Sequence, residues 1–356
     1  MQDTNGLAHI LKQHLSWDKR RITFFAAMIT GIVIKQTVNL SRLKTFLSSI
    51  CDATSASTYR RAQCLFQHQT FDYDIIARFI VMLFGLSGSI CLSIDRTNWQ
   101  FGKKDINIFM LSIVHEGIAI PVLWRALPKR GNSNCQERMA LLARFQQVFP
   151  ELDIEVVFAD REFIGNLWLK WLKDQNIPYC IRFRGNARMT GKCGKPVALK
   201  NRFRHLRAGE EEVLHKRVRI YGQSHWLAVR RLGDGDLLAV GSSKKGFGIA
   251  AYGKRWRIET LFGCLKSRGF SLEDTHMSDD AKLEKLVALV SIAFCWAYRA
   301  GIESHKGLPI KRKSHGRSAA SLFQMGLSWI TERIFASVNI MNRLPYEVLA
   351  VLVRRD

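Results

Sequence analysis

Several patterns that would assign a chemistry at once are missing from this 356-residue chain. Its eight cysteines (51, 64, 91, 135, 180, 193, 264 and 295) include no CxxC pair, so neither a zinc site nor a disulfide framework is indicated, and reduced thiols are expected, several in the core. The ten histidines form no HxH, HxxxH or HExxH spacing, which disfavours a zinc-dependent hydrolase. No GxxxxGK[ST] run occurs, so an ATP-driven motor is unsupported. No uncharged run reaches the roughly 18 residues of a membrane span. The nearest, FIVMLFGLSGSICLSI, is interrupted by Gly85, Ser87, Gly88 and Ser89 and reads as a helix end, a turn and a buried strand. The first residues lack the basic start, apolar centre and cleavage site of a signal peptide, so a cytosolic location is expected. Tandem repeats and low-complexity segments are also missing.

Acid is scarce. Against 54 Lys and Arg stand 30 Asp and Glu, a net charge of +24, and 47% of residues are hydrophobic. Such a chain can bury a sizeable core and still surround itself with a field that attracts polyanions. Nucleic acid is the first partner to consider, a ribosome-associated or merely basic protein the second.

From about residue 5 to 85 apolar residues recur at helical spacing, as in ITFFAAMITGIVI, LSRLKTFLSSI and IIARFIVMLFGL, with helix-start residues between the segments. The piece SASTYRRAQCLFQ suits either a helix lying on a phosphate backbone or a solvated helix face. From residue 88 the period becomes strand-like. In SICLSID, Ile90, Leu92 and Ile94 alternate with Cys91, Ser93 and Asp95, which predicts a strand ending at Asp95 on its polar side. INIFMLSIVHEG and IAIPVLWRALP read as strands joined by a Glu-Gly turn. After a helix, QERMALLARFQQVF, comes IEVVFADR, an apolar run fit for a central strand with Asp160 at its carboxyl end. A helix (NLWLKWLKDQN) and a strand (YCIRFRG) complete an α/β order. From Arg182 to Arg207 there are nine Lys or Arg and no acid, predicting a basic β-rich insertion, with HKRVRIYGQSHWLAVRRL as strands and LLAVGSS as the return strand. A long helix carrying YGKRWRIETLFGCLK follows, then a core helix, AKLEKLVALVSIAFCWAYRAG. The tail holds a cationic run, KRKSHGR, and the amphipathic SLFQMGLSWITERIF.

On one continuous helix, at about 100° per residue, Tyr252, Arg255, Trp256, Glu259 and Lys266 fall on a single face. Arg255 and Glu259 alone would be an ordinary i,i+4 ion pair. The rest of the stripe looks like a strip along a nucleic-acid backbone, with cations for phosphates, aromatics for displaced bases and one carboxylate suited to holding a divalent cation. In-line displacement at a phosphodiester is commonly run by two metals sharing carboxylates, so partners are needed. Asp95 and Asp160 are the candidates. Glu162 would tune the site or pair with Arg161 or Arg182, and Trp99 is expected in the core.

DRTNW at Asp95, ADREFIG around Asp160, and the spacing of Tyr252, Arg255, Glu259 and Lys266 resemble the DDE transposases of bacterial insertion sequences. The last pattern is similar to the Y-R-E-K signature of the insertion-sequence-four (IS-four) family. The resemblance covers roughly residues 88 to 305. It implies a ribonuclease-H-like α/β catalytic core at 88–184 and 236–305, a basic β-rich insertion at 185–235, a helical N-terminal DNA-binding region at 1–87 and a helical C-terminal region at 306–356. By the same resemblance Asp95, Asp160 and Glu259 are the catalytic, metal-binding acids, and the cofactor is Mg²⁺ or Mn²⁺, two ions per site. Tyr252, Arg255 and Lys266 would contact transposon-end DNA, with Trp256 beside a flipped base. The partners implied are double-stranded transposon ends and target DNA, with a homodimer in the synaptic complex, in the bacterial cytoplasm at the nucleoid. Cleavage through a hairpin and joining to a target are expected. The alternatives are a ribonuclease-H-like nuclease without strand transfer and a non-catalytic end-binding regulator.

Overall fold

The computed structural model describes residues 5–190, 194–307, 309–312, 314, 318–338 and 346–353. Five helices come first: α1 (Asn5–Lys12), α2 (Lys19–Lys35), α3 (Leu40–Cys51), α4 (Ser55–His68) and α5 (Tyr73–Leu83). Then come β1 (Ser89–Phe101), β2 (Lys104–His115), β3 (Ile118–Ala126), α6 (Cys135–Val148), β4 (Asp153–Ala159), α7 (Asn166–Asp174) and β5 (Tyr179–Phe183). The next stretch holds β6 (Arg188–Thr190), β7 (Pro196–Ala198), α8 (Leu199–Arg202), β8 (Glu211–Val213), β9 (Val218–Ile220), β10 (Gln223–Arg231) and β11 (Leu237–Ser242). Last are α9 (Ile249–Tyr252), a 3₁₀ turn (Gly253–Arg255), α10 (Trp256–Leu265), α11 (Asp280–Gly307), α12 (Leu322–Val338) and α13 (Tyr346–Ala350). Part of the cationic run at 311–317 lies outside the described residues.

The chain divides into two compact units. One comprises Met1–Leu86, Asn98–Ile106 and Phe262–Asp356, and the other Ser87–Thr97 and Asn107–Leu261. In the second, the sheet order is β3-β2-β1-β4-β5-β11-β10-β9-β6-β7, with β8 beside β10. β4 lies parallel to both β1 and β5, whereas β11 runs antiparallel to β5 and β10. Three consecutive strands followed by parallel β4 and β5, with helices in the β3–β4 and β4–β5 connections, make the 3-2-1-4-5 arrangement of a ribonuclease-H-like α/β fold. The predicted Glu-Gly turn joins β2 to β3, and its two residues, Glu116 and Gly117, both have positive φ (43° and 84°). That is the backbone a twisted two-residue hairpin needs. β4 is the expected buried central strand, with Val156, Val157, Phe158 and Ala159 all at 0% exposure.

One expectation for β1 is corrected. The strand does not end at Asp95 but runs on to Phe101, because the residues beyond Thr97 form one arm of the hairpin to β2. Its second face is covered as well, since Cys91 and Ser93 are buried. Cys91 packs in a cluster with Val156, Phe158 and Tyr252.

The basic segment holds strands β6 to β10 and the short helix α8, and its strands extend the same sheet. At their root lies fully buried His225. Its Nε2–H donates to the Ile220 carbonyl (2.8 Å), an acceptor only, which leaves Nδ1 to accept from the Tyr179 hydroxyl (3.2 Å). Burial pushes the imidazole down from 6.5 to about 4, so it is neutral in the fold.

The helical unit is built on caps and close approach. Side chains of Asp18, Asn39, Thr54 and Asp72 accept backbone N–H groups at the starts of α2 to α5, which satisfies otherwise orphaned donors. α11 is long and apolar enough to cross a membrane, yet most of it is buried inside the unit. It packs on α12 through glycines. A Cβ on Gly301 would stand 1.8 Å from the Leu322 carbonyl oxygen, and one on Gly326 would stand 1.7 Å from that of Ala297.

Gly301→Ala or Gly326→Ala must therefore push backbone away from backbone. Each should cost about 1–3 kcal/mol, as overpacked cores do, read as a lower urea midpoint. Acid should weaken the fold as well. With the folded pKa of His225 depressed from 6.5 to about 4, the unfolded chain binds the extra proton between those values. Stability from this group is thus complete above pH 6.5 and falls as pH drops towards 4, by about 3 kcal/mol in all. Unfolding titrations from pH 7.5 to 4 should show this slope and His225→Gln should flatten it.

Candidate active site

The parallel ladder of β1 and β4 pairs Leu92 with Val157, Ser93 with Phe158 and Ile94 with Ala159, and there it stops. The next residue on each segment is an aspartate, Asp95 within β1 and Asp160 just past the end of β4. Parallel strands lie about 4.8 Å apart, so two carboxylates are delivered side by side at the carboxyl edge of the sheet. The Asp95 side chain is only 15% exposed. Burial pushes its carboxyl up to about 7, against the pull of Arg255 and the Arg96 N–H, with repulsion from Glu162 and Asp160 adding to the rise.

The stretch holding Glu259 approaches these acids in a form the helical wheel did not foresee. It is not one helix. α9 ends at Tyr252, a 3₁₀ turn spans Gly253–Arg255, and α10 starts at Trp256. In a 3₁₀ turn residues three apart eclipse, so Tyr252 and Arg255 turn inward together, both at 4% exposure, whereas Trp256 is 57% exposed. The single working face expected at this stretch is therefore two: a buried pair, and an open flank carrying Trp256 and Glu259.

The buried pair ties the acids together. The Tyr252 hydroxyl donates to Asp160 Oδ1 (3.3 Å). Arg255 donates through Nη1 to Asp95 Oδ2 (3.0 Å) and through Nη2 to Glu259 Oε1. Its guanidinium thus lies between two of the three acids, 5.6 Å from the Tyr252 ring centre. The Glu259 side chain remains 53% exposed. Among the described residues no three His, Cys, Asp or Glu side chains are gathered tightly enough to cage a metal as they stand, and Arg255 lies between Asp95 and Glu259.

Lys266 belongs to the helical unit. Its ammonium donates to the Asn98 carbonyl (3.1 Å), pairs with Glu273 (2.6 Å) and lies 5.4 Å from the ring centre of Trp99, which is buried as expected.

One part of the site went unseen in the sequence. Glu162 pairs with neither Arg161 nor Arg182, both of which reach Asp236 instead. Its partner is Arg96, held bidentate at 2.6 and 2.8 Å. Arg96 also donates to Asn107 and Asn132, and buried Arg138 donates to the Glu162 carbonyl (2.9 Å). Arg96 follows Asp95 and Glu162 stands two beyond Asp160, so this clamp fixes one acid-bearing chain segment against the other. The only sequence signal was the recurrence of Asp-Arg in DRTNW and ADREFIG.

Residues 86–296 match the family described as "Transposase DDE domain", and the chain belongs to that family. Among solved structures it is similar to the "Cryo-EM structure of piggyBac transposase synaptic complex with hairpin DNA (SNHP)", at 12% identity and TM-score 0.46, covering 99% of this chain and 81% of that one. No curated protein matches the sequence.

The clamp yields a testable coupling. A double-mutant cycle with Arg96→Gln and Glu162→Gln should give an interaction energy of about 1–3 kcal/mol in unfolding free energy, as for half-buried bidentate pairs. Additive single-mutant effects would remove its structural role.

Proposed function

We propose that this chain is the transposase of a bacterial insertion sequence of the IS-four type, which cleaves the ends of its own element and joins them to target DNA by a cut-and-paste route. The observation that carries the reading is the register: the β1–β4 ladder ends one residue before Asp95 and Asp160, and Arg255 links Asp95 to Glu259. In this reading 88–184 and 236–305 form the catalytic core, 185–235 the insertion, 1–87 the N-terminal DNA-binding region and 306–356 the C-terminal region. The protein works as a homodimer on cytoplasmic, nucleoid DNA.

The acids fit a divalent cation. Carboxylate oxygens are the donors that hard cations take, and a positive charge, the Arg255 guanidinium, already lies between Asp95 and Glu259. Asp95, Asp160 and Glu259 would hold two Mg²⁺ or Mn²⁺ ions, which when bound polarise the scissile phosphodiester and favour deprotonation of the attacking water. The remaining work falls to the chain. Tyr252 orients Asp160 through its hydroxyl. Arg255 and Lys266 are cations for end-DNA phosphates, and exposed Trp256 offers a face for an unstacked base, offsetting the few kcal/mol that unstacking costs. In the first step a water oxygen bonds to phosphorus as the bond to the 3′ oxygen breaks and that oxygen is protonated. The freed 3′-hydroxyl then attacks a target phosphodiester, losing its proton as the target's own 3′ oxygen leaves. A hairpin intermediate on the element's ends is the expected route to double-strand release.

The test uses the DNA flanking the gene as substrate. Asp95→Asn, Asp160→Asn and Glu259→Gln should each leave end binding within about twofold while lowering strand cleavage by at least about a hundredfold. Metal-dependent nicking at the wild-type rate by any of the three would sink the assignment of that acid. Cleaved ends without strand-transfer product would make the chain a nuclease, and end binding without cleavage by the wild type a regulator.

A further inference from the structure

The helical unit contains a second surface with the chemistry of a nucleic-acid reader, and the inference drawn from it rests on the reading of 1–87 as a DNA-binding region while using segments that the phosphodiester chemistry does not. α3 and α4 are joined by three residues, 52–54. Asp52 is left-handed (φ 47°), and its N–H and that of Ala53 close on the Ser48 carbonyl. Two hydroxyl contacts brace the pair: Thr58 Oγ1 donates to the Lys44 carbonyl (3.2 Å), and Ser55 Oγ to Ser48 Oγ (3.3 Å). Leu43, Leu47 and Cys51 face inward from α3, as do Thr58, Ala62, Leu65 and Phe66 from α4. Two capped helices joined by a three-residue turn form a helix-turn-helix.

Apart from Ala56 and Cys64, what α4 turns outward is polar or cationic, and it is free of acid. Ser57, Arg60, Arg61, Gln63, Gln67 and His68 are all exposed. The helix is a ridge with a trough on either side. One trough, about 710 Å³, runs between Arg60, Gln63 and Gln67 on α4 and the 275–282 segment, which brings Lys282 and one acid, Asp279. The other, about 370 Å³, is lined by Arg61 and by Arg20 and Arg21 at the start of α2. Cys64 and His68 line both, so they mark the crest. Arg61 is stacked 4.7 Å from the Phe24 ring centre, which steadies it beside its trough.

From this relief we infer that α4 is a recognition helix for duplex DNA, with Arg60, Gln63 and Gln67 reading base edges and the Arg20, Arg21 and Arg61 flank holding a phosphate backbone. A helix of 10–12 Å diameter fits the major groove, about 12 Å wide, with a phosphate strand against the Arg20, Arg21 and Arg61 flank. Glutamine amides pair with adenine and guanidinium groups with guanine on that edge. A merely solvated face would intersperse acids with its arginines, and Ser55–His68 has none. The deep, narrow major groove of duplex RNA would not admit the ridge.

The test uses the full-length protein in EDTA, so that binding is separated from cleavage, with a pool of random 20-base-pair DNA duplexes as probe. Wild type should enrich a defined sequence. On that sequence Arg60→Ala and Gln63→Ala should bind roughly 5- to 100-fold more weakly, losing most of the preference over a scrambled duplex. Arg21→Ala should weaken both duplexes alike and reduce the salt slope by about one. Reselection with Gln63→Glu should change the base at one position, a gain that misfolding cannot mimic. The variant Asp95→Asn/Asp160→Asn should select the wild-type sequence, so the inference stands or falls independently of the catalytic reading. It is overturned if no sequence is enriched, if both α4 variants bind like wild type or lose selected and scrambled duplexes equally, or if duplex RNA competes as well as the selected DNA.

Discussion

The pairing of two parallel strands is the constraint from which the rest of the site follows. Hydrogen bonds between β1 and β4 set the register, and the register sets where the last apolar pair, Ile94 and Ala159, gives way to Asp95 and Asp160. A slip of one residue on either strand would turn its aspartate to the opposite face of the sheet. The buried run of β4 and the burial of both faces of β1 make such a slip expensive, because apolar side chains would have to leave the core on both sides. Precision at the acids is therefore inherited from the core and not from the acids themselves.

Around this ladder, like charges are brought closer than they would choose. The arrangement persists because cations are threaded between them: Arg255 between Asp95 and Glu259, and Arg96 on Glu162. Each is anchored by more than one contact, the first through its carboxylate partners and the second through Asn107 and Asn132 as well. Arginine suits both places because its planar fork serves two acceptors at once and it stays charged when buried. Lysine would offer the charge without the geometry.

Much of this is legible in the sequence, and what is not has a physical reason. The apolar run before Asp160 and the Glu-Gly turn carry local signals, so β4 and the β2–β3 hairpin can be read directly. Helix-start residues mark α2 to α5 for the same reason. The continuation of β1 past Asp95 is hidden because it depends on a partner strand, and alternation in SICLSID gives no sign of where that pairing ends. The break at Gly253 is hidden because Tyr252, Arg255 and Glu259 have a spacing compatible with one unbroken helix, and only packing against the sheet selects the 3₁₀ turn. The pairing of Arg96 with Glu162 joins residues far apart in sequence, and nothing local distinguishes Arg96 from Arg161 or Arg182 as the partner. Side-chain pairing across a fold is the level at which a single sequence says least.

The seat taken by Arg255 has a consequence for how the molecule comes into being. A nascent chain that had to gather bare carboxylates would carry an electrostatic penalty until some ion arrived from solution, and its maturation would follow the ion supply, as in small zinc-dependent domains. Here the compensating charge is encoded four residues before one of the acids and is buried beside Asp95. Much of the neutralisation is thus intramolecular and arrives at the same moment as the tertiary structure, so the acidic cluster can assemble on the ribosome's timetable instead of the metal pool's.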